Sequence, residues 1–371
     1  MNAPVLFSLA ALAAVAAPLA LWLFGRFFLD RAGRARYQVP AGAHPGERFG
    51  SARPEHPAVR AAMARLDATN AAAAAAPRAQ RLAVKRRAFD AMFDDLALDV
   101  RLVAASASGV PGEWVLAPGA DPARRMLYLH GGGLVVGSAR SHRPLTARLS
   151  ALFGGAVLAI DYRLLPEHKR IDSVIDSRTA YAWMLGHGPD GAAPATAVCV
   201  AGDSAGANLT LALLPWVRDS GMHAPDAAIV LSPPTDSTFA SPSLRTNADS
   251  DHMLGAAAKR MLRLPRILIL YIAWLQHGIR PCDPVVSPLY GDLARLPPTL
   301  IHASETEILY DDARRYASRA RAAGSPVTLQ SWNNTLHVWH IFGELPETDE
   351  AFAQIGRFLA ATTQPNKEAA A

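Results

Sequence analysis

Ser204 stands in the stretch Val198–Gly206, VCVAGDSAG, where a short apolar run, Ala197–Ala201, leads into Gly202-Asp203-Ser204-Ala205-Gly206 and then into the apolar segment Ala207–Val217. A strand, a sharp turn and a helix in that order are the setting in which G-x-S-x-G lifts a serine hydroxyl clear of a sheet for nucleophilic attack. A turn that tight strains its central residue and leaves no room for side chains two positions away on either side. It also leaves the Ala205 N–H free at the start of a helix, where it can stabilise developing negative charge. Taken alone, the pattern also fits an ordinary glycine-rich turn. Its neighbours decide against that.

About 70 residues earlier, the run RMLYLH ends in His130-Gly131-Gly132-Gly133. Glycines after a strand let the backbone approach a substrate with its N–H groups pointing inward, as an oxyanion requires. A nucleophilic serine also needs a base, and the base needs a carboxylate to orient it. After Ser204 the histidines are His223, His252, His277, His302, His337 and His340. Only His337 and His340 follow the last strand-like run, in the loop SWNNTLHVWH, where a base would hang over the serine turn. His337 lies in the loop and is the expected base, and His340 is expected to pack behind it. The acid is expected in the loop after Thr299–His302, where Glu305, Glu307, Asp311 and Asp312 all qualify. Spacing alone does not separate them.

HGGGLVVGS, DYRLLPEH, GDSAGANL, DPVVSPLYGDL, LPPTLIHASETEILYDDA and LHVWHIF occur in that order, and together they resemble the hormone-sensitive lipase family of α/β-hydrolase esterases over about Asp99–Leu359. The resemblance implies Glu307 as the acid and His337 as the base. It also implies an oxyanion hole of Gly131, Gly132 and Ala205, and a helical lid drawn from an N-terminal segment and an insertion between strands. Two departures stand out. KRIDSVID replaces a proline-containing run in the family's DYRLAPEHPFPAAVDDA, and the usual glycine before the acid is Ala303 or Ser304. Asp161, Arg163 and Glu167 of the same region are expected to form structural ion pairs. The expected activity is hydrolysis of short- to medium-chain carboxylic esters through an acyl-enzyme, with no cofactor and no metal. The other readings are an amidase or deacetylase using the same triad, as in the arylacetamide deacetylase branch with its N-terminal anchor, and a non-catalytic membrane scaffold.

These residues need a scaffold, and the pattern supplies one. Strand-like runs at Val100–Ala104, Glu113–Leu116, Arg125–His130, Ala156–Ile160, Ala197–Ala201, Ala227–Leu231, Thr299–His302 and Val327–Ser331 alternate with helical runs over most of their length. That alternation predicts an α/β-hydrolase fold with a mostly parallel central sheet flanked by helices. Between Ser232 and Leu296 the alternation lapses. This insertion (residues 236–280 as a lid) carries a helical stretch, Gly255–Gln276, that Pro265 interrupts. Residues 37–98 read as a linker followed by lid helices, 99–361 as the catalytic domain and 362–371 as a disordered tail.

Half of the 371 residues are hydrophobic, and much of the excess lies in Ala3–Phe24, an uncharged run long enough for one bilayer crossing. Arg26, Arg31, Arg34 and Arg36 follow it and no Lys or Arg precedes it. The run therefore reads as a single-pass N-terminal anchor with a basic flank, residues 1–36, rather than a cleaved signal peptide, with the catalytic domain on the cytoplasmic side. The net charge is +5, but its arginines are dispersed and not interleaved with aromatics. The expected partners are thus a small ester and membrane lipid, not nucleic acid. The two cysteines, Cys199 and Cys282, give neither a disulfide framework nor a zinc spacing. Oligomeric state stays open, a homodimer included.

Overall fold

The computed structural model describes residues 16–30, 37–39, 46–50 and 57–363. Nine strands form one sheet: β1 (Glu47–Phe49), β2 (Arg101–Ala107), β3 (Val110–Leu116), β4 (Asp121–Leu129), β5 (Gly155–Ile160), β6 (Ala197–Asp203), β7 (Ala227–Leu231), β8 (Thr299–Ser304) and β9 (Val327–Trp332). Their order is β1-β9-β8-β7-β6-β4-β5-β3-β2. All neighbours are parallel except β2 with β3 and β3 with β5. Ser108 and Gly109, both at positive φ, close the β2–β3 hairpin.

The central strands read as continuous apolar runs because both faces are covered. Alternate residues divide between two cores. Leu127, Leu129, Leu158, Val198 and Val200 face one side, while Met126, Tyr128, Val157, Cys199 and Ala201 face the other. Helices α4 (Arg170–Met184), α5 (Ser204–Asp219) and α9 (Tyr310–Ala322) cover the first face, and α3 (Arg143–Phe153) and α10 (Pro346–Thr362) cover the second. This is the α/β-hydrolase architecture expected from the alternation.

Two helices, α1 (Ala58–Ala75) and α2 (Arg81–Asp90), precede the sheet. Arg86 of α2 reaches over the loop after β4, donating to the Val135 carbonyl at 2.8 Å and the Leu165 carbonyl at 2.7 Å while pairing with Glu167. The insertion forms α6 (Ser243–Thr246), α7 (Gly255–Met261) and α8 (Arg266–His277). Pro265, in an extended conformation, separates α7 from α8, and Gly278 ends α8 in the left-handed region. The stretch expected to be a linker contributes β1, which pairs with β9 at the sheet edge, and Phe49 stacks on Trp332.

The N-terminus departs from expectation. Among the described residues no helix is long and apolar enough to cross a membrane, so the single-pass anchor is unsupported, and so is the cytoplasmic placement that rested on it. Residues 3–15 of that run lie outside the described residues, as does the tail beyond residue 363. The remainder of the run is a helix over 16–24 continued by a wide turn, Gly25–Leu29, and it packs against α8. Tyr271 donates to the Leu21 carbonyl at 2.7 Å, Phe24 and Phe28 pack on Trp274, and buried Asp30 pairs with Arg266. A Cβ on Gly25 would meet the Ile267 side chain at 2.3 Å, so glycine permits this close approach. An apolar helix face can be covered by another helix as well as by lipid, and here part of it is.

Candidate active site

The serine turn is built as its sequence demands. β6 is buried throughout, and Ser204 begins α5 with φ at 49°, a left-handed conformation that is costly for a residue with a side chain. A Cβ on Gly202 would lie 2.6 Å from the Gly206 carbonyl oxygen, and one on Gly206 would lie 1.8 Å from the Leu129 carbonyl oxygen. Both glycines are therefore steric requirements. The Ala205 N–H has no acceptor among the described residues.

β8 and β9 bring the other candidates to the serine from the C-terminal edge of the sheet. His337 Nε2 is 2.9 Å from Ser204 Oγ, and His337 Nδ1 is 2.5 Å from Glu307 Oε2. The second oxygen of Glu307 accepts the Ser304 N–H at 2.9 Å. Both side chains are buried. Burial pushes the Glu307 carboxyl above the usual carboxylate range, against the pull of His337. Burial alone would lower His337, but the Glu307 carboxylate outweighs it and holds the imidazole above its ordinary value.

The other acids considered are engaged elsewhere. Glu305 pairs with Arg48 and accepts from Ser331, Asp311 accepts the Ser243 N–H and binds Arg314, and Asp312 accepts the Thr235 and Asp236 N–H groups. His340 is buried against His302, 3.0 Å away, and does not reach the serine. Asp161, Arg163 and Glu167 do form polar structural contacts, though not with one another. Asp161 accepts the Ala139 N–H, Arg163 pairs with Asp176 and Asp172, and Glu167 pairs with Arg86.

The glycine loop differs from expectation in one donor. The Gly131 N–H is spent on Asp203 Oδ1 at 2.8 Å, whereas the Gly132 and Gly133 N–H groups have no acceptor among the described residues. Gly132 (φ 107°) and Gly133 (φ 64°) both adopt the left-handed backbone that lets the loop curl toward the serine. His130 is buried, stacked on Tyr162 and held neutral, its pKa lowered to about 3 by burial and by neighbouring His142.

Sequence reasoning missed the residues that brace this geometry. Asp203 accepts the Tyr128 hydroxyl at 2.5 Å as well as the Gly131 N–H, and lies 3.4 Å from His142 Nε2. It thereby ties the serine turn to the glycine loop. Asp251 accepts the Ile308 N–H, and Asn247 Nδ2 donates to the Glu305 and Glu307 carbonyls, so the insertion holds the acid loop in place. Asp203 is visible inside GDSAG, but its partners are 60 to 75 positions away in sequence.

A cavity of about 350 Å³ opens beside Ser204. Its walls are mostly apolar, and its roof comes from α7 and α8 through Ala258, Met261, Ala273 and His277. A small apolar chamber, a serine hydroxyl hydrogen-bonded to a histidine, and N–H groups without acceptors among the described residues are the parts that an acyl-transfer site uses. Among the described residues there is no cluster of side chains able to hold a metal ion.

Residues 126–341 match the alpha/beta hydrolase fold family. The chain belongs to that family, and within it to the hormone-sensitive lipase type of esterases. It is 40% identical over 252 residues to an acetyl-hydrolase of Streptomyces hygroscopicus, covering 68% of this chain and 80% of that one. It is 33% identical over 259 residues to an esterase of Acinetobacter venetianus, covering 68% of this chain and 79% of the relative. Among solved structures, an esterase from the bacterial hormone-sensitive lipase family superposes with a TM-score of 0.67 at 37% identity, covering 81% of this chain and 98% of that one.

Proposed function

We propose that the chain is a serine carboxylesterase that hydrolyses short- to medium-chain esters with a Ser204–His337–Glu307 triad. The observation that carries this reading is the continuous hydrogen-bonded line from Ser204 Oγ through His337 to Glu307, beside an apolar cavity. Ser204 Oγ attacks the ester carbonyl while His337 Nε2 takes its proton. Glu307 keeps the Nδ1–H tautomer in place and stabilises the imidazolium. The carbonyl oxygen, now negative, is held by the N–H groups of Gly132, Gly133 and Ala205, with Gly131 acting through Asp203 as a brace. His337 then protonates the leaving alcohol. In the second half-reaction it deprotonates the water that attacks the acyl-enzyme, which releases the acid and restores Ser204. The cavity volume suits an acyl chain of modest length, and the named activities of the acetyl-hydrolase and esterase relatives agree with ester chemistry.

The test is Ser204→Ala together with a series of p-nitrophenyl esters of increasing chain length. The variant keeps the wild-type fold, loses labelling by a fluorophosphonate probe, and loses on the order of 10⁴-fold or more in kcat. A folded Ser204→Ala protein that still labels and turns over esters refutes the reading. A wild-type preference for the anilide over the matched ester would move it to the amidase alternative.

A further inference from the structure

Arg170 is a cation in an otherwise mostly apolar chamber. It begins α4 and lines the same cavity as Ser204. Its Nη2 donates to Asn208 Oδ1 at 2.8 Å and to the Val286 carbonyl at 3.2 Å. Asn208 lies on α5, one turn beyond Ser204, and is itself fixed by bonds to the Pro234 and Val286 carbonyls. Arg170 Nε is buried with no hydrogen-bond partner, and no carboxylate among the described residues pairs with the guanidinium. The two acids that line the cavity do not serve it. Asp236 is bound to Arg315 at 2.7 Å, and Asp312 accepts from the Thr235 and Asp236 backbone.

His277, the last residue of α8, faces the same space from the roof, and its buried Nδ1 also lacks a partner. Both side chains line the one cavity, and burial together with the Arg170 charge lowers His277 to about 4. Burial also lowers Arg170, but only to about 10, so it stays charged at neutral pH. Burying an unpaired charge is costly unless something of opposite sign completes it. The planar guanidinium fork matches a carboxylate. Arg170 belongs to the KRIDSVID departure, standing where the family run DYRLAPEHPFPAAVDDA carries a phenylalanine.

We propose that Arg170 and His277 form an anion subsite of the substrate pocket, and that the ester this enzyme takes carries a carboxylate or similar anionic group at its far end. The proposal rests on Ser204 being the esterase nucleophile. Because the anion can sit on either side of the scissile bond, two substrate pairs are needed. The acyl side is read with p-nitrophenyl monoglutarate against p-nitrophenyl hexanoate, and the alcohol side with p-acetoxybenzoate against p-tolyl acetate. The readout is the ratio of kcat/KM for the anionic over the neutral member of each pair. In Arg170→Gln that ratio falls about 10- to 100-fold from wild type in one of the two pairs, the range for losing a charged hydrogen-bonded contact. Arg170→Lys retains part of it. If Arg170→Gln does not fold, wild type decides alone: kcat/KM for an anionic member equal to or above its neutral partner supports the subsite. A ratio unchanged by Arg170→Gln in both pairs overturns the proposal, as does a more than tenfold wild-type preference for the neutral member of both. Failure of wild type to hydrolyse any of the four esters would instead remove the esterase reading itself.

Discussion

Replacing Glu307 with Gln tests the triad more sharply than deleting the serine, because its effect follows from two hydrogen bonds. Glu307 accepts with both oxygens, from Ser304 N–H at 2.9 Å and from His337 Nδ1 at 2.5 Å. A glutamine has one acceptor. If its oxygen stays on Ser304, its NH₂ faces Nδ1, and the imidazole must carry its proton on Nε2, where it cannot act as a base. If the oxygen turns to His337, two donors meet at Ser304, costing about 1–3 kcal/mol in a buried site. The competent tautomer is then disfavoured about 5- to 150-fold. Loss of the charge-assisted bond to the imidazolium removes about 1–2 kcal/mol more, roughly another 5- to 30-fold. The product is a fall in kcat of roughly 25- to 4,500-fold. The substitution preserves shape, so the unfolding temperature shifts by only a few degrees. Hydrolysis of p-nitrophenyl butyrate and a calorimetric melt measure both quantities. A kcat within tenfold of wild type, in a protein that melts normally, would show that Glu307 does not orient the base. Glu305→Gln serves as the control and loses little activity, since Glu305 binds Arg48 and Ser331 rather than His337.

Two further outcomes are expected. His337 is held above its ordinary value and must be neutral to act, so kcat/KM falls as pH drops through a value above 6.5. In Glu307→Gln that limb moves to lower pH, because burial still disfavours the imidazolium and its carboxylate is gone; a pH–rate profile with an unmoved limb contradicts the coupling. Gly206→Ala places a Cβ 1.8 Å from the Leu129 carbonyl oxygen and costs about 3 kcal/mol or more in urea unfolding, whereas Gly343→Ala, with open space at the same position, costs little.

Most of the scaffold was legible because buried parallel strands are continuous apolar runs, and the runs at Ala156–Ile160, Ala197–Ala201 and Ala227–Leu231 could hardly be anything else. The break at Pro265 was equally plain, since proline cannot continue a helix through its own nitrogen. Glu47–Phe49 carried no such signal. It is three residues long with two of them charged, and only its pairing along the edge of β9 makes it a strand. Among four acids in one loop, spacing could not choose. Glu307 was singled out by resemblance, and the physical reason is visible only in space, where the other three are already bound. The Gly131 donor was misjudged for the same reason, as its acceptor lies 72 positions on in Asp203. The N-terminal run is a different case, since the anchor read from it finds no support among the described residues. Apolar composition measures the wish to leave water and says nothing of whether lipid or protein receives the side chains.

Helix α8 has two faces, and they answer to different masters. One carries Ala273 and His277 into the ceiling of the pocket; the other is gripped by Leu21, Gly25 and Asp30 of the N-terminal segment. A rigid helix transmits displacement without needing a pathway of intermediates. Work done on the outer face is therefore felt within the chamber, and a substrate that lifts or seats α8 changes by the same free energy how firmly the N-terminal segment is held. The linkage concerns binding free energies: to the extent that seating a substrate moves α8, its affinity and the grip of residues 21–30 on that helix change together.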